Sequence, residues 1–298
     1  MLNLENLTTE KMNTNTINLD KMTPFEIASV MNKEDENVIQ AVRNSLVDIS
    51  MAIEACTNAL QKGGRIIYMG AGTSGRLGLM DAVECPPTFG VSHDLVIGLI
   101  AGGELAFIKA VEGAEDSKTL GEEDLKNINL NNDDIVIGLA ASGRTPYVIY
   151  GLKYARKIGC KTACIVCNEN SEMSKLSDIS IELIVGPEVL TGSTRLKAGS
   201  AQKMVLNMIS TGSMVGMGKV YKNLMVDLMQ TNEKLIERSE NIVMEATQAD
   251  REVAKKTLQQ ARGKVKVAIV MILLHCNSKE AEEALNRAKG HIRKAIEN

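Results

Sequence analysis

Between residues 63 and 185 the chain alternates short, unbroken apolar runs with segments of mixed polarity. The runs are Arg65–Gly70, Leu95–Ala101, Asp134–Ala140, Lys161–Cys167 and Ile179–Val185, each bounded by Gly, Asp or Asn. A strand with one wet face alternates apolar and polar residues, whereas a strand covered on both faces reads as a continuous apolar run. Most of the intervening segments are able to form a helix. The pattern therefore predicts an α/β fold, a doubly wound five-stranded parallel sheet with helices on both faces. Sheets of this kind bind ligands beyond the carboxyl ends of their strands. The residues that follow each run are thus where chemistry is to be sought.

Helical spacing dominates on either side of the sheet. Val38, Ala41, Val42, Leu46, Ile49, Ile53, Cys56 and Leu60 recur at the period of one helix face, so a helix is expected over Glu34–Leu60, ended at Lys62-Gly63-Gly64. A long helix is expected from Ser193 to Met217, its Met and Leu stripe serving core packing, and another helical stretch from Lys219 to Ala246. The tail carries an internal repeat: Leu258–Ile269 matches Leu285–Ile296 in its apolar and Gly positions, an offset of 27 residues. Each copy reads as helix, Gly turn, helix. The expected organisation is an N-terminal arm with helices over 1–62, a sheet domain over 63–239, and a small helical domain over 240–298 that packs or self-associates.

Composition narrows the function. With 298 residues, 44% apolar and 24% charged, the chain can bury a large core. Its net charge of -3 and lack of a long basic run argue against nucleic acid as a partner. The absence of Trp and a count of three Phe leave no aromatic platform for bases. The opening residues, MLNLENLTTEKMNTNTINLDKM, are polar and include acids, unlike a secretory signal. The longest apolar run, Val267–Leu274, is too short to cross a bilayer. A cytoplasmic protein without membrane contact is expected. Three of the six cysteines lie in KIGCKTACIVC. Cys164 and Cys167 fall within a strand and so face opposite ways, which together with the lack of a nearby His favours reduced buried thiols over a metal site.

Two loops carry the candidate chemistry. The first run leads into Gly70-Ala-Gly-Thr-Ser-Gly-Arg76. Glycines permit a sharp turn and close ligand approach, the N–H groups opening the next helix attract an anion, and Thr73 and Ser74 add hydroxyls. Gly70, Gly72 and Gly75 satisfy a dinucleotide-type spacing, but the second run ends in Ala101-Gly-Gly-Glu104 and lacks the lone acid that ribose recognition needs. The third run ends in Ala140-Ala-Ser-Gly-Arg-Thr-Pro146, a second hydroxyl-and-glycine loop with proline suited to a first helical turn. Two such loops at neighbouring strand ends can converge on one phosphate, although ordinary helix caps use the same residues.

These loops resemble those of the sugar isomerase (SIS) domain. Longer segments, GGRIIYMGAGTSGRLGLMDAVECPPTFG (63–90), AVEGAEDS (110–117), LAASGRTPYV (139–148) and LTGSTRLKAGSAQK (190–203), are similar to the N-acetylmuramic acid 6-phosphate etherase family, as is the arm LTTEKMNTNTINLDKM. The resemblance covers nearly the whole chain. It implies a carbon–oxygen lyase of cell-wall amino-sugar recycling that eliminates D-lactate across C2–C3 of a phosphorylated amino sugar and then adds water at C3. It implies no metal or organic cofactor, and a homodimer with active sites near the subunit contact. The chemistry needs a base for the C2 hydrogen, acidified by the neighbouring aldehyde, and an acid for the leaving oxygen.

By matching motifs, the two carboxylates are Glu84, expected to close the first-loop helix in apolar surroundings and act as proton donor, and Glu115, its partner. The substrate-binding set is Gly72, Thr73, Ser74 and Gly75 in the first loop; Ser142, Gly143, Arg144 and Thr145 in the second; and Ser193, Thr194 and Lys197 at the head of the long helix. Lys197 is read as facing either substrate or solvent. Arg76 and Arg144 are read as anion clamps or interface ion pairs. Two other readings compete: a non-catalytic sugar-phosphate sensor, which needs the hydroxyl loops but not both glutamates, and an aldose–ketose isomerase, which releases no lactate.

Overall fold

The structure, a computed structural model, describes residues 7–109, 111–228 and 233–297. Residues 1–6 of the arm, Ala110 of the second etherase-like motif, and residues 229–232 within the expected Lys219–Ala246 helix lie outside the described residues. Two compact units divide the chain. One comprises the described residues of Met1–Val83 and Asp94–Ser210, the other those of Glu84–His93 and Thr211–Asn298. The sequence boundaries at 62 and 239 fall inside these units.

The first unit opens with an arm of three short 3-10 turns, Thr8–Glu10, Thr14–Thr16 and Leu19–Lys21. Helix α1 (Pro24–Asn44) starts on a capping box. The Thr23 hydroxyl accepts the Glu26 N–H and the Glu26 carboxylate accepts the Thr23 N–H, with Pro24 in the first turn. The single helix expected over Glu34–Leu60 is two, α1 and α2 (Leu46–Gln61), broken at Ser45. The Ser45 hydroxyl bonds back to Ala41 O at 3.2 Å and across to Glu182 O at 2.9 Å, so it leaves the helix ladder to dock on the sheet.

The sheet follows: β1 (Ile66–Gly70), α3 (Gly72–Phe89), β2 (Val96–Ile100), α4 (Leu105–Ile108), α5 (Leu120–Asn127), β3 (Ile135–Ala140), α6 (Pro146–Ile158), β4 (Lys161–Val166), α7 (Glu172–Leu176) and β5 (Ile179–Glu182). All five strands are parallel, in the order β2-β1-β3-β4-β5. Every residue of β1 and β3 is buried, which is why both read as unbroken apolar runs. One face packs through Ile67, Met69, Val136, Cys164 and Val166 against Val148 and Leu152 of α6. Cys167 lies beyond the end of β4, its Sγ 3.9 Å from Ala198 O. The two thiols thus serve different layers. Burial pushes both up, and that of Cys160 to about 11.

Helix α8 (Lys197–Gly216) begins four residues later than expected. The Lys219–Ala246 segment is not one helix. Gly218 takes φ +70 and Lys222 φ +54, which breaks the chain into an antiparallel hairpin, β6 (Val220–Tyr221) and β7 (Leu224–Met225), ahead of α9 (Glu233–Thr247). Then come α10 (Arg251–Gln260), α11 (Val265–Leu274), α12 (Ser278–Arg287) and α13 (Ile292–Glu297). The 27-residue repeat is visible as two like turns: Arg262 and Gly263 have φ +54 and +79, Lys289 and Gly290 +52 and +82. Val243, Ala254, Ala268, Ile269 and Ala281 form the centre of this unit's own core.

Candidate active site

The strand order reverses between β1 and β3, because β1 connects outward to β2 while β3, β4 and β5 extend the other way. Such a switch point opens a crevice at the strand ends, and the two hydroxyl-and-glycine loops occupy it. In the first, Gly75 N–H bonds to Ala71 O at 3.1 Å. The N–H groups of Gly72, Thr73 and Ser74 precede that bond and are the orphan donors of the α3 N-terminus. An added Cβ on Gly75 would lie 2.7 Å from Gly70 O, so the loop closes this tightly only with glycine. Ser74 is buried, and its hydroxyl donates to Gln202 Oε1 of α8 at 2.8 Å, while Gln202 Nε2 donates to Ile165 O at 3.3 Å. Ser74 therefore ties the first loop to α8 through its hydroxyl.

The second loop is held as firmly. Gly143 adopts φ +66, its carbonyl accepts the Met173 N–H at 3.1 Å, and a Cβ there would collide with the Ser171 side chain. Arg144 N–H reaches Ser142 Oγ at 3.3 Å. Thr145 is the N-cap of α6 but makes no side-chain cap bond, which leaves its hydroxyl available. Ser193 and Thr194 sit in the turn before α8. A Cβ on Gly199 would lie 3.5 Å from both Thr194 O and Thr73 Cγ2, so the third motif packs beside the first loop.

Lys197 takes neither of the roles expected of it. Its side chain is 1% exposed and its Nζ pairs with Glu34 Oε2 at 2.7 Å. Glu34 also accepts from Asn13 Nδ2 and Asn15 Nδ2, both at 2.8 Å. Burial pushes the Glu34 carboxyl up, but the bonds from Lys197, Asn15 and Asn13 outweigh this and hold it below the usual range. The helix head itself is capped by Glu188, fully buried, whose two oxygens accept the N–H groups of Lys197 at 3.0 Å and Ala198 at 2.9 Å. Burial raises the Glu188 carboxyl. Neither acid was legible as functional, because no local spacing joins residue 34 to 197 and a cap nine residues upstream matches no short motif.

Glu115 lies in the 3-10 turn Ala114–Asp116, entered through Gly113 at φ +76. It lines a cavity of about 210 Å³ together with Gly72, Arg76, Ala101 and Glu112. One candidate carboxylate and the glycine that opens α3 thus face the same space. Arg76 lines it too, and donates to Phe107 O at 2.9 Å and Ala106 O at 2.8 Å, which fastens the α4 segment to α3.

Glu84 differs from expectation. Helix α3 continues past it through Pro86 and Pro87 to Phe89, so Glu84 is inside the helix and exposed rather than at its end in apolar surroundings. The two prolines deprive the final turn of two N–H donors, and the chain leaves the helix at Gly90, at φ +61. Glu84 follows Gly72 by twelve residues and falls in the second compact unit. Met80, Val83 and Pro87 share its exposed face. One turn earlier, the buried Asp81 accepts from Asn207 at 2.9 Å and Ser210 at 3.1 Å, pinning α3 to α8, and burial raises its carboxyl.

A parallel sheet in the order β2-β1-β3-β4-β5 is common to several doubly wound folds, and the matches of this sequence assign it among them to the SIS-domain proteins. Residues 48–156 match the glucokinase regulatory protein N-terminal SIS domain model, and residues 119–211 match the SIS domain model. The fold is shared with phosphoheptose isomerases from Francisella tularensis (TM-score 0.50, 16% identity, 65% of this chain and 100% of that one) and Neisseria gonorrhoeae (0.50, 15%, 64% and 98%). Within this class, the chain is 59% identical over 294 residues to an N-acetylmuramic acid 6-phosphate etherase of Geobacillus sp. (strain WCH70), covering 99% of this chain and 100% of the relative. It is 60% identical to that of Listeria welshimeri, covering 99% of each. The chain belongs to the N-acetylmuramic acid 6-phosphate etherase family.

Proposed function

We propose that the protein cleaves the D-lactyl ether of N-acetylmuramic acid 6-phosphate, giving N-acetylglucosamine 6-phosphate and D-lactate in the catabolism of cell-wall amino sugar. The observation that carries this reading is the shared cavity of Glu115 and Gly72. A phosphoryl group bound by the N–H groups that open α3 and α6 holds the open-chain sugar at its C6 end. The aldehyde at C1 acidifies the C2 hydrogen. One carboxylate removes that proton, the C3–O electron pair leaves with the lactyl oxygen, and a carboxylic acid protonates that oxygen. Water then adds its hydroxyl at C3 of the unsaturated aldehyde, and a proton returns to C2.

In this reading Glu115 takes the proton transfer at C2 and Glu84 is the donor to the leaving oxygen. Glu84 projects from an exposed face of α3 flanked by Met80, 40% exposed, and Val83, 58% exposed. An apolar stripe beside a functional acid is suited to burial by another subunit. The functional form is then a homodimer in which a second copy covers this face and brings Glu84 to a sugar.

The test is lactate release by wild type, Glu84→Gln and Glu115→Gln. Wild type releases lactate, and each variant binds N-acetylglucosamine 6-phosphate normally while releasing lactate at least about a hundredfold more slowly. Full turnover by either variant removes that residue from the mechanism.

A further inference from the structure

The substrate's phosphoryl group is a dianion, yet two cations supplied by the loop motifs are committed elsewhere. Lys197 is paired with Glu34, and Arg76 is bonded to two carbonyls of the α4 segment. The N-terminal arm supplies a replacement. It is stitched along the carboxyl edge of the sheet: Thr8 N–H donates to Asn168 Oδ1 at 2.8 Å, and Asn168 Nδ2 donates to Thr9 Oγ1 at 3.1 Å and to Ala141 O at 3.0 Å. Further on, Asn13 Nδ2 donates to Pro187 O at 3.1 Å and Thr16 Oγ1 to Val189 O at 2.8 Å. These bonds fix the arm past the ends of β3, β4 and β5.

So held, the arm forms one wall of a cavity of about 560 Å³ whose other walls include Ser142 and Arg144 of the second loop. Three cations line it: Lys11 from the arm, Arg144, and Lys175 of α7. Two acids, Glu169 and Glu172, also line it, but Glu172 pairs with Lys153 at 3.6 Å. Lys11 forms no ion pair among the described residues. The space therefore carries positive charge beside the Ser142 hydroxyl, the electrostatic requirement for an anionic group.

We infer that Lys11 is a substrate-binding residue: the arm delivers its ammonium to the phosphoryl end of the sugar on the Ser142 side of the crevice, together with Arg144, in a cavity whose lining shares no residue with the one beside Gly72 and Glu115 that would hold C2. This rests on the functional reading above and adds to it the arm as part of the binding site. Lys11 follows a turn whose Thr8 and Thr9 are anchored through Asn168, so the lysine is presented from a fixed backbone. None of the anchoring bonds uses the Lys11 side chain, so its loss leaves the arm docked.

The experiment is calorimetric titration of full-length wild type, Lys11→Met and Lys11→Arg with N-acetylglucosamine 6-phosphate, which carries the phosphate and no carboxylate, and with N-acetylglucosamine. Thermal melting serves as the fold control. Loss of one charge-assisted contact to phosphate is expected to weaken phosphosugar binding about tenfold to a hundredfold. Affinity for the unphosphorylated sugar stays unchanged, and Lys11→Arg recovers most of the loss. In turnover, KM rises by the same factor while kcat stays within about threefold, as for uniform binding. Unchanged phosphosugar affinity in Lys11→Met overturns the inference. So does an equal loss for the unphosphorylated sugar, or a KM effect without a change in phosphosugar affinity, which assigns the lysine to the lactyl carboxylate. Because the titration needs no turnover, a wild type that releases no lactate but shows the phosphate-specific loss refutes the etherase reading alone.

Discussion

Replacing Lys197 with Met removes a cation that is 1% exposed and 2.7 Å from Glu34 Oε2. Breaking a buried pair by deleting one partner costs roughly 3–5 kcal/mol, because the other charge remains buried. Here Asn13 and Asn15 still donate to the Glu34 carboxylate, each at 2.8 Å, which places Lys197→Met at the low end. We expect about 3 kcal/mol, roughly two decades in the unfolding equilibrium. Glu34→Gln keeps an acceptor for the lysine and should cost about 2 kcal/mol. The double variant should fall short of the sum by about 1–3 kcal/mol, since the two residues share one interaction. Tyrosine fluorescence in a urea titration is a suitable assay. The chain has no Trp, and of its five Tyr, Tyr68, Tyr147, Tyr150 and Tyr154 lie in the unit that holds the pair, with Tyr221 in the other. The pH profile gives a second readout. Hydrogen bonds hold the folded Glu34 carboxyl low, so its contribution is complete above the unfolded value of about 4.3 and is lost as pH falls through the folded value. Glu34→Gln should therefore flatten that acid limb. A Lys197→Met variant within about 0.5 kcal/mol of wild type and additive with Glu34→Gln would show that the two side chains are not coupled.

Other outcomes follow from the loops. Gly143→Ala forces a side chain into left-handed backbone and against Ser171. It should raise KM for the phosphorylated substrate and lower the melting temperature, the backbone strain alone costing at least about 1 kcal/mol. Glu188→Ala leaves two buried N–H groups at the head of α8 without an acceptor, but also removes a carboxyl that desolvation already disfavours in its charged form. A net loss of about 2 kcal/mol in urea unfolding is expected.

The sheet was legible because each strand is buried along its length and so carries its own signature. Ile66–Gly70 and Ile135–Ala140 lie within one residue of the apolar runs that indicate them. The loops after β1 and β3 were legible for the same local reason, since turn, glycine and helix start are contiguous. Pairings over long separations left no such trace. Ser45 breaks a helix that periodicity alone continues, because its hydroxyl finds Glu182 O 137 residues away. Lys197 is claimed by an acid 163 residues earlier, and Ser74 by Gln202, 128 residues later. The β6–β7 hairpin hid in a stretch whose composition also suits a helix, and only the left-handed Gly218 and Lys222 distinguish the two. As for the two glutamates, sequence motifs name both. The cavity beside Gly72 joins Glu115 to the anion loop, while the exposed position of Glu84 follows from α3 running on through two prolines.

The proposed reaction requires a positioned carboxylate to remove the C2 proton of a phosphate-held amino sugar, with lactate leaving from C3. Incubation of the protein with N-acetylmuramic acid 6-phosphate in deuterated water, followed by mass spectrometry and proton NMR, tests it most directly. Free D-lactate and N-acetylglucosamine 6-phosphate carrying one deuterium at C2 are the expected products. Lactate release with C2 still fully protiated, or deuterium exchange without any lactate, would contradict it.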